Sequence, residues 1–299
     1  LVSFITYRVF LIINSFSLTN FIAVFGVFSN SLNIVVYLKL GLRESTNINF
    51  LALGIVDWLV CVCSCLVVVS HLNEISPYGD SIKYLDIHVS SFILFPCMGM
   101  GAWIIVLLSA ERCLCIVVPL KVKTIITRRR IICLISGMAV YETVFGFFMM
   151  TFVDSPESTN RIRQLLIFSC MSVPVFVCFI LVLFFTIFMV IRLRQTLEWR
   201  TTTATQSTKT SGAKERKVVL SVLWICIMFI VCFTPFVIYF VTAIVLPRFT
   251  LWDPYYGWFV QTTWTFNFLF QTISSASNIF VYFFVSTKFR KVLKSVLMC

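Results

Sequence analysis

The chain has 299 residues, 60% of them hydrophobic and 12% charged, with a mean hydropathy of +0.98. A water-facing globule cannot hide that much apolar surface, so lipid is the expected solvent and a soluble enzyme is excluded. The net charge of +12 sits in short segments between apolar runs, which argues for a chain that crosses a bilayer and against a nucleic-acid interface.

Seven apolar runs fall at about 18–40, 48–72, 88–118, 131–153, 165–192, 217–246 and 256–285, each near the 20 residues a tilted helix needs to span hydrocarbon. Length favours helix, and a β-barrel would alternate in segments of about ten residues, a pattern the chain lacks. The expected fold is an all-α membrane protein, a seven-transmembrane helix bundle. Residues 1–17 form a short outer terminus, 18–285 the bundle, and 286–299 a short amphipathic cytoplasmic helix with a tail. With the first terminus outside, 19 of the 24 Lys and Arg fall on the inner side, and Arg8, Lys83, Arg161, Arg163 and Arg248 remain outside. That asymmetry is the positive-inside pattern.

The first run carries Asn30 in GVFSNSLNIVVY. A lone Asn in a span is expected to hydrogen-bond a neighbouring helix. In LRESTNINFLALGIVDWLV, Ser45 or Thr46 suits a helix cap. Asp57 lies about three turns further in. An acid at that depth marks a functional site unless it only staples to Asn30. Residues 71–88 form a polar outer loop holding both histidines.

The third run ends SAERCLCIVVPL. Glu111-Arg112 close an apolar helix, Pro119-Leu120 follow, and a basic stretch runs from Lys121 to Arg130. Such a pair must lie at the interface or in a protein-lined cavity. The fourth run holds Glu142 in mid-span, which either lines a pocket or faces the third helix. Pro174 kinks the fifth. Residues 195–213 are rich in Ser and Thr, either a flexible polar linker or a phosphorylation cluster. The sixth run reads F-x-x-C-F-x-P at Phe229, Cys232, Phe233 and Pro235, an aromatic set just before a kink. Trp252, Tyr255, Tyr256 and Trp258 form an interfacial belt. The seventh run ends SSASNIFVYFF, and KFRKVLKSVL after it is a basic amphipathic piece for the membrane surface. Cys299 is either a palmitoylation site or simply terminal. The twelve cysteines show no zinc spacing, and Cys61, Cys63 and Cys65 spread around a helix axis. No metal or cofactor is expected.

Glu111-Arg112 with Pro119-Leu120, LALGIVD, F-x-x-C-F-x-P and N-I-F-V-Y resemble, in order and spacing, the motifs of rhodopsin-like (class A) G-protein-coupled receptors. Several motifs depart from the family pattern. Glu replaces Asp and Cys113 replaces Tyr beside Arg112, Phe233 stands for Trp, and Ile279 for Pro. No Cys stands at Ile87 or in the second outer loop, so the family disulfide is not expected. LRESTNINFLALGIVD, ERCLCIVVPLKVKTIIT and SNIFVYFFVSTKFR are similar to invertebrate, especially molluscan, chemosensory-like receptors and to orphan peptide-type receptors.

The resemblance implies a non-enzymatic receptor of the plasma membrane that binds an extracellular small molecule or peptide and activates a heterotrimeric G protein. Arrestin, a kinase and membrane lipids are further implied partners. It implies a coupling group of Glu111, Arg112, Glu215, Pro119 and Leu120, with an Arg112–Glu215 ion pair bridging the third and sixth helices. It implies a polar network of Asn30, Asp57, Ser274, Asn278 and Tyr282, an aromatic switch of Phe229, Cys232, Phe233 and Pro235, and a ligand pocket near Leu94, Met98, Phe236 and Phe268. Leu94 stands where amine receptors carry an Asp, which argues against a cationic amine. A transporter or channel would show more deep charges than Asp57 and Glu142, and a retinal receptor would need a Lys between Phe259 and Tyr282, where there is none.

Overall fold

A computed structural model of the chain describes residues 2–71, 90–118, 121–153, 161–203, 208–246, 248–249 and 253–298. Seven helices in it are long and apolar enough to cross a membrane. They belong to α1 (Phe4–Leu40), α2 (Ser45–His71), α3 (Phe95–Val117), α4 (Arg128–Val153), α5 (Arg161–Thr203), α6 (Thr208–Val245) and α7 (Gly257–Val285). An eighth, α8 (Thr287–Leu297), follows directly.

The helices close a ring in which α1 touches α2 and α7, α5 touches α6, and α6 touches α7. α3 contacts α2, α4, α5 and α6, so it is the hub. Two-thirds (67%) of its most apolar stretch is buried, against 17% for α4, which places α4 at the rim. Lipid tails are as apolar as Leu, so helices in a bilayer associate through close packing of small residues rather than by escaping water. At Gly26, an added Cβ would lie 2.4 Å from Cys61 Sγ and 3.1 Å from Ala276 Cβ. That missing atom seats α1 against both α2 and α7. At Gly146 it would lie 2.9 Å from the Phe92 carbonyl oxygen, so α4 rides against backbone just ahead of α3.

α1 begins at Phe4, well before the expected start near residue 18. Ser3 caps it by accepting from Thr6 N at 3.1 Å. Tyr7 stacks on Trp258 at 5.4 Å, and Asn14 Nδ2 donates to Thr265 Oγ1 at 3.1 Å. These contacts to α7 order residues that are too polar to read as a span. Leu11–Thr19 form a π-helical segment within α1. The expected linker at 195–213 is also helical over 195–203 and 208–213, because α5 and α6 run on past their apolar stretches.

Gly41 ends α1 at φ +83, a left-handed conformation that a residue with a Cβ adopts at a cost. Ser286 caps α8, its Oγ accepting from Phe289 N at 3.2 Å. Phe289 and Leu293 are buried, while Lys288, Lys291 and Lys294 are exposed, so α8 is amphipathic. The Phe289 ring lies 5.4 Å from that of Tyr282 and 5.6 Å from that of Tyr37, which fastens α8 to the ends of α7 and α1.

Candidate functional site

Three sets of polar and aromatic residues lie along α3, α6 and α7. At the α8 end, Glu111 is buried and accepts four hydrogen bonds. Ser45 Oγ donates at 2.6 Å, Thr46 Oγ1 at 2.9 Å, Asn49 Nδ2 at 2.7 Å and Arg112 Nη2 at 2.8 Å. Arg112 also donates to Thr46 Oγ1. The start of α2 is thus bound to the end of α3. Ser45 and Thr46 lie inside α2, which begins at Ser45, and their hydroxyls donate to Glu111. Buried carboxylates persist where donors surround them, and Glu111 has that shell.

Arg112 lies where two cavities meet. One, of about 830 Å³, is lined by Glu111, Cys115, Ile116 and Arg128 among others. The other, of about 540 Å³, reaches Val218 and Ser221 of α6, Tyr282 of α7 and Lys288 of α8. The Arg112 Nε is buried with no hydrogen-bond partner among the described residues. Glu215 lies on the helical backbone of α6, but its side chain is outside the described residues, as are Pro119 and Leu120. The guanidinium bonds that are described run to α2 and α3.

The second set lies mid-bundle. Asn278 Nδ2 donates to Asp57 Oδ2 at 2.7 Å, and Ser275 lines the same small cavity as Asp57. Asn30 Nδ2 donates to the Ser275 carbonyl at 3.0 Å and accepts from Asn33 Nδ2 at 3.0 Å. The Ser275 carbonyl thus ties α1 to the stretch of α7 that carries Asn278. The sequence had drawn attention to Ser274, which also lines the small cavity beside Asp57 with Gly101, Phe229 and Gln271. Both serines of SSAS line that cavity, and the pair gives no signal that Ser275 takes the contact from α1. Tyr282 is buried, but its hydroxyl has no partner among the described residues; its ring packs edge-on to Tyr37 at 5.2 Å and Phe50 at 5.1 Å. Asp57→Ala would leave the Asn278 amide without its acceptor. An orphaned buried donor costs about 1–3 kcal/mol, so a lower melting temperature in detergent is the expected result.

The third set is aromatic. Phe229 and Phe233 lie 4.1 Å apart, Phe233 and Phe236 6.1 Å, and Phe236 and Trp264 6.0 Å. Cys232 is buried, and Pro235 lies inside α6 beside them. The four expected pocket residues divide into two places. Met98 and Phe236 line a small cavity between α3, α4, α5 and α6. Leu94 packs with Met98 against Val60, Cys63 and Val67 of α2, with Phe268 beside them. Glu142 proves to do both things that its position allowed: it lines the cavity and it faces α3.

At the opposite end, Asp253 accepts from Tyr255 N at 2.8 Å, Tyr256 N at 3.0 Å and Arg248 Nε at 3.1 Å. The two backbone N–H groups, followed by the Arg248 guanidinium, hold its carboxyl below the usual range. This turn sets the start of α7.

No curated protein matches the chain. The family model described as 7 transmembrane receptor (rhodopsin family) matches residues 29–282, a stretch that contains every described residue of the three sets. With seven membrane-length helices around a central α3 and a charged pair at its end, the chain belongs to the rhodopsin family of seven-transmembrane receptors, whose members couple extracellular ligands to heterotrimeric G proteins.

Proposed function

We propose that the chain is a plasma-membrane receptor with its N-terminus outside and α8 inside. It binds a small extracellular molecule, in a chemosensory role, and drives nucleotide exchange on a heterotrimeric G protein. The observation that carries this reading is Arg112, set between two cavities at the α8 end. Together they offer about 830 Å³ and 540 Å³ to an inserted partner segment. The small aromatic cavity far from that end favours a compact ligand over a peptide, and the similarity of SNIFVYFFVSTKFR to invertebrate chemosensory-like receptors adds to it.

Agonist shifts the population only by binding one conformation better than the other. In this reading the open conformation moves the α8 end of α6 away from α3. Arg112 then leaves Thr46 and Glu111, and any pairing with Glu215, and turns to the G protein. Asp57, Asn278 and Ser275 link the ligand end to Arg112. The Ser and Thr residues at 201–211 serve as kinase and arrestin sites, and Lys288, Lys291 and Lys294 lie against anionic lipid. The test is nucleotide exchange in membranes of cells expressing the chain with a promiscuous G protein. Exchange driven by small organic molecules is expected. Exchange driven by peptides alone would make it a neuropeptide-type receptor. Solute or ion flux with no exchange would make it a transporter or channel, and the reading would fall.

A further inference from the structure

Glu142 has an unusual setting. It is 5% exposed in a helix that otherwise shows an apolar face to lipid. Its carboxylate lies where α3 lacks a side chain: a Cβ on Gly99 would fall 2.5 Å from Oε1. Trp103, one turn further along α3, lies beside it. Gly99 and Trp103 thus flank the acid from α3, and neither brings a positive charge.

The cavity that Glu142 faces is walled by Phe95, Tyr141, Phe145, Phe233 and Phe236. No Lys, Arg or His among the described residues lines it. A desolvated acid either stays neutral or draws in a cation, and aromatic rings attract a cation through their π faces. Acid and aromatic walls together have the complementarity that an ammonium group satisfies. Size points the same way. The cavity offers about 30 Å³ to the centre of a water-sized sphere, and one water needs roughly 10–15 Å³ on that measure. It takes a charged head group, not a ring.

We propose that Glu142 is the counter-ion for a protonated amine ligand, its ammonium seated between α3, α4, α5 and α6. This rests on the reading that the bundle binds a small extracellular molecule, and it names that molecule's class. The absence of an acid at Leu94 argued against amines, but the geometry supplies the acid from α4. Two residues of the aromatic set, Phe233 and Phe236, form part of the wall, so an occupied subsite touches α6 beside Pro235.

The test uses the full chain purified in detergent, with melting temperature as the direct readout. The probes are 2-phenylethylamine and tryptamine, against the uncharged 2-phenylethanol and tryptophol. The amines are expected to raise the melting temperature at concentrations at which the alcohols do not. Glu142→Gln, which keeps the shape and removes the charge, is expected to weaken the apparent amine affinity about 100-fold, and Glu142→Asp less. Equal shifts from amines and alcohols, no shift from either amine, or wild-type amine affinity in Glu142→Gln would overturn the proposal. Nucleotide exchange measured in parallel separates the two readings. Amine-dependent stabilisation without exchange supports the subsite and removes the G-protein function. Exchange driven only by uncharged ligands keeps that function and removes the subsite.

Discussion

Arg112→Ala is expected to abolish nucleotide exchange, by at least ~100-fold, while the receptor still reaches the cell surface. Arg112 lines both cavities at the α8 end, together with Arg43, Glu44 and Thr46, and its five N–H donors suit the carbonyls of an inserted partner segment. Hydrogen bonds to a charged donor contribute about 1.5–3 kcal/mol each, so losing two corresponds to about 10²–10⁴ in coupling. The fold should tolerate the change, because Glu111 keeps three donors, Ser45, Thr46 and Asn49. Exchange in membranes, normalised to surface receptor, checks it. Wild-type exchange by the variant would remove Arg112 from the coupling role.

Glu111→Ala acts in the opposite direction on signalling and harder on the fold. Four donors from α2 and α3 lose one acceptor at once. Removing one partner of a buried charged network costs about 3–5 kcal/mol. Part of that is recovered here, since Ser45 and Thr46 line the 830 Å³ cavity and can turn to water. The melting temperature should fall by several degrees. The start of α2 also loses three of its ties to α3, and Arg112 keeps only its bond to Thr46 among the described residues, so exchange without agonist should rise. Glu111→Gln keeps an acceptor oxygen and should give a smaller fall in melting temperature with a similar rise in basal exchange. A variant as stable as wild type, with unchanged basal exchange, would show that the network restrains nothing.

The seven crossings were legible because an apolar run of sufficient length is a local property. The same locality explains the misreadings. FITYRVFLIINSFS, with Arg8 and Asn14, reads as a tail until Trp258 and Thr265 stand beside it. Ser45 and Thr46 read as caps because a hydroxyl before an apolar run has that meaning in isolation. Their actual acceptor lies more than 60 residues away on α3. Ser275 escaped notice beside Ser274, because helix phase within a polar pair is set by neighbours. Glu142 was visible as an anomaly, but only the empty Cβ position of Gly99 explains why an acid fits there.

The π-helical segment Leu11–Thr19 also governs how α1 is aimed. Such a segment bonds from i to i+5 and winds more residues into each turn than the 3.6 of an α-helix. The phase of the rod therefore slips once between its two ends. Tyr7 presents itself to Trp258 under one register, and Gly26 and Asn30 meet Cys61 and Ser275 under another. Shortening this stretch by one residue would restore a single register, and only one end of α1 could then keep its neighbours.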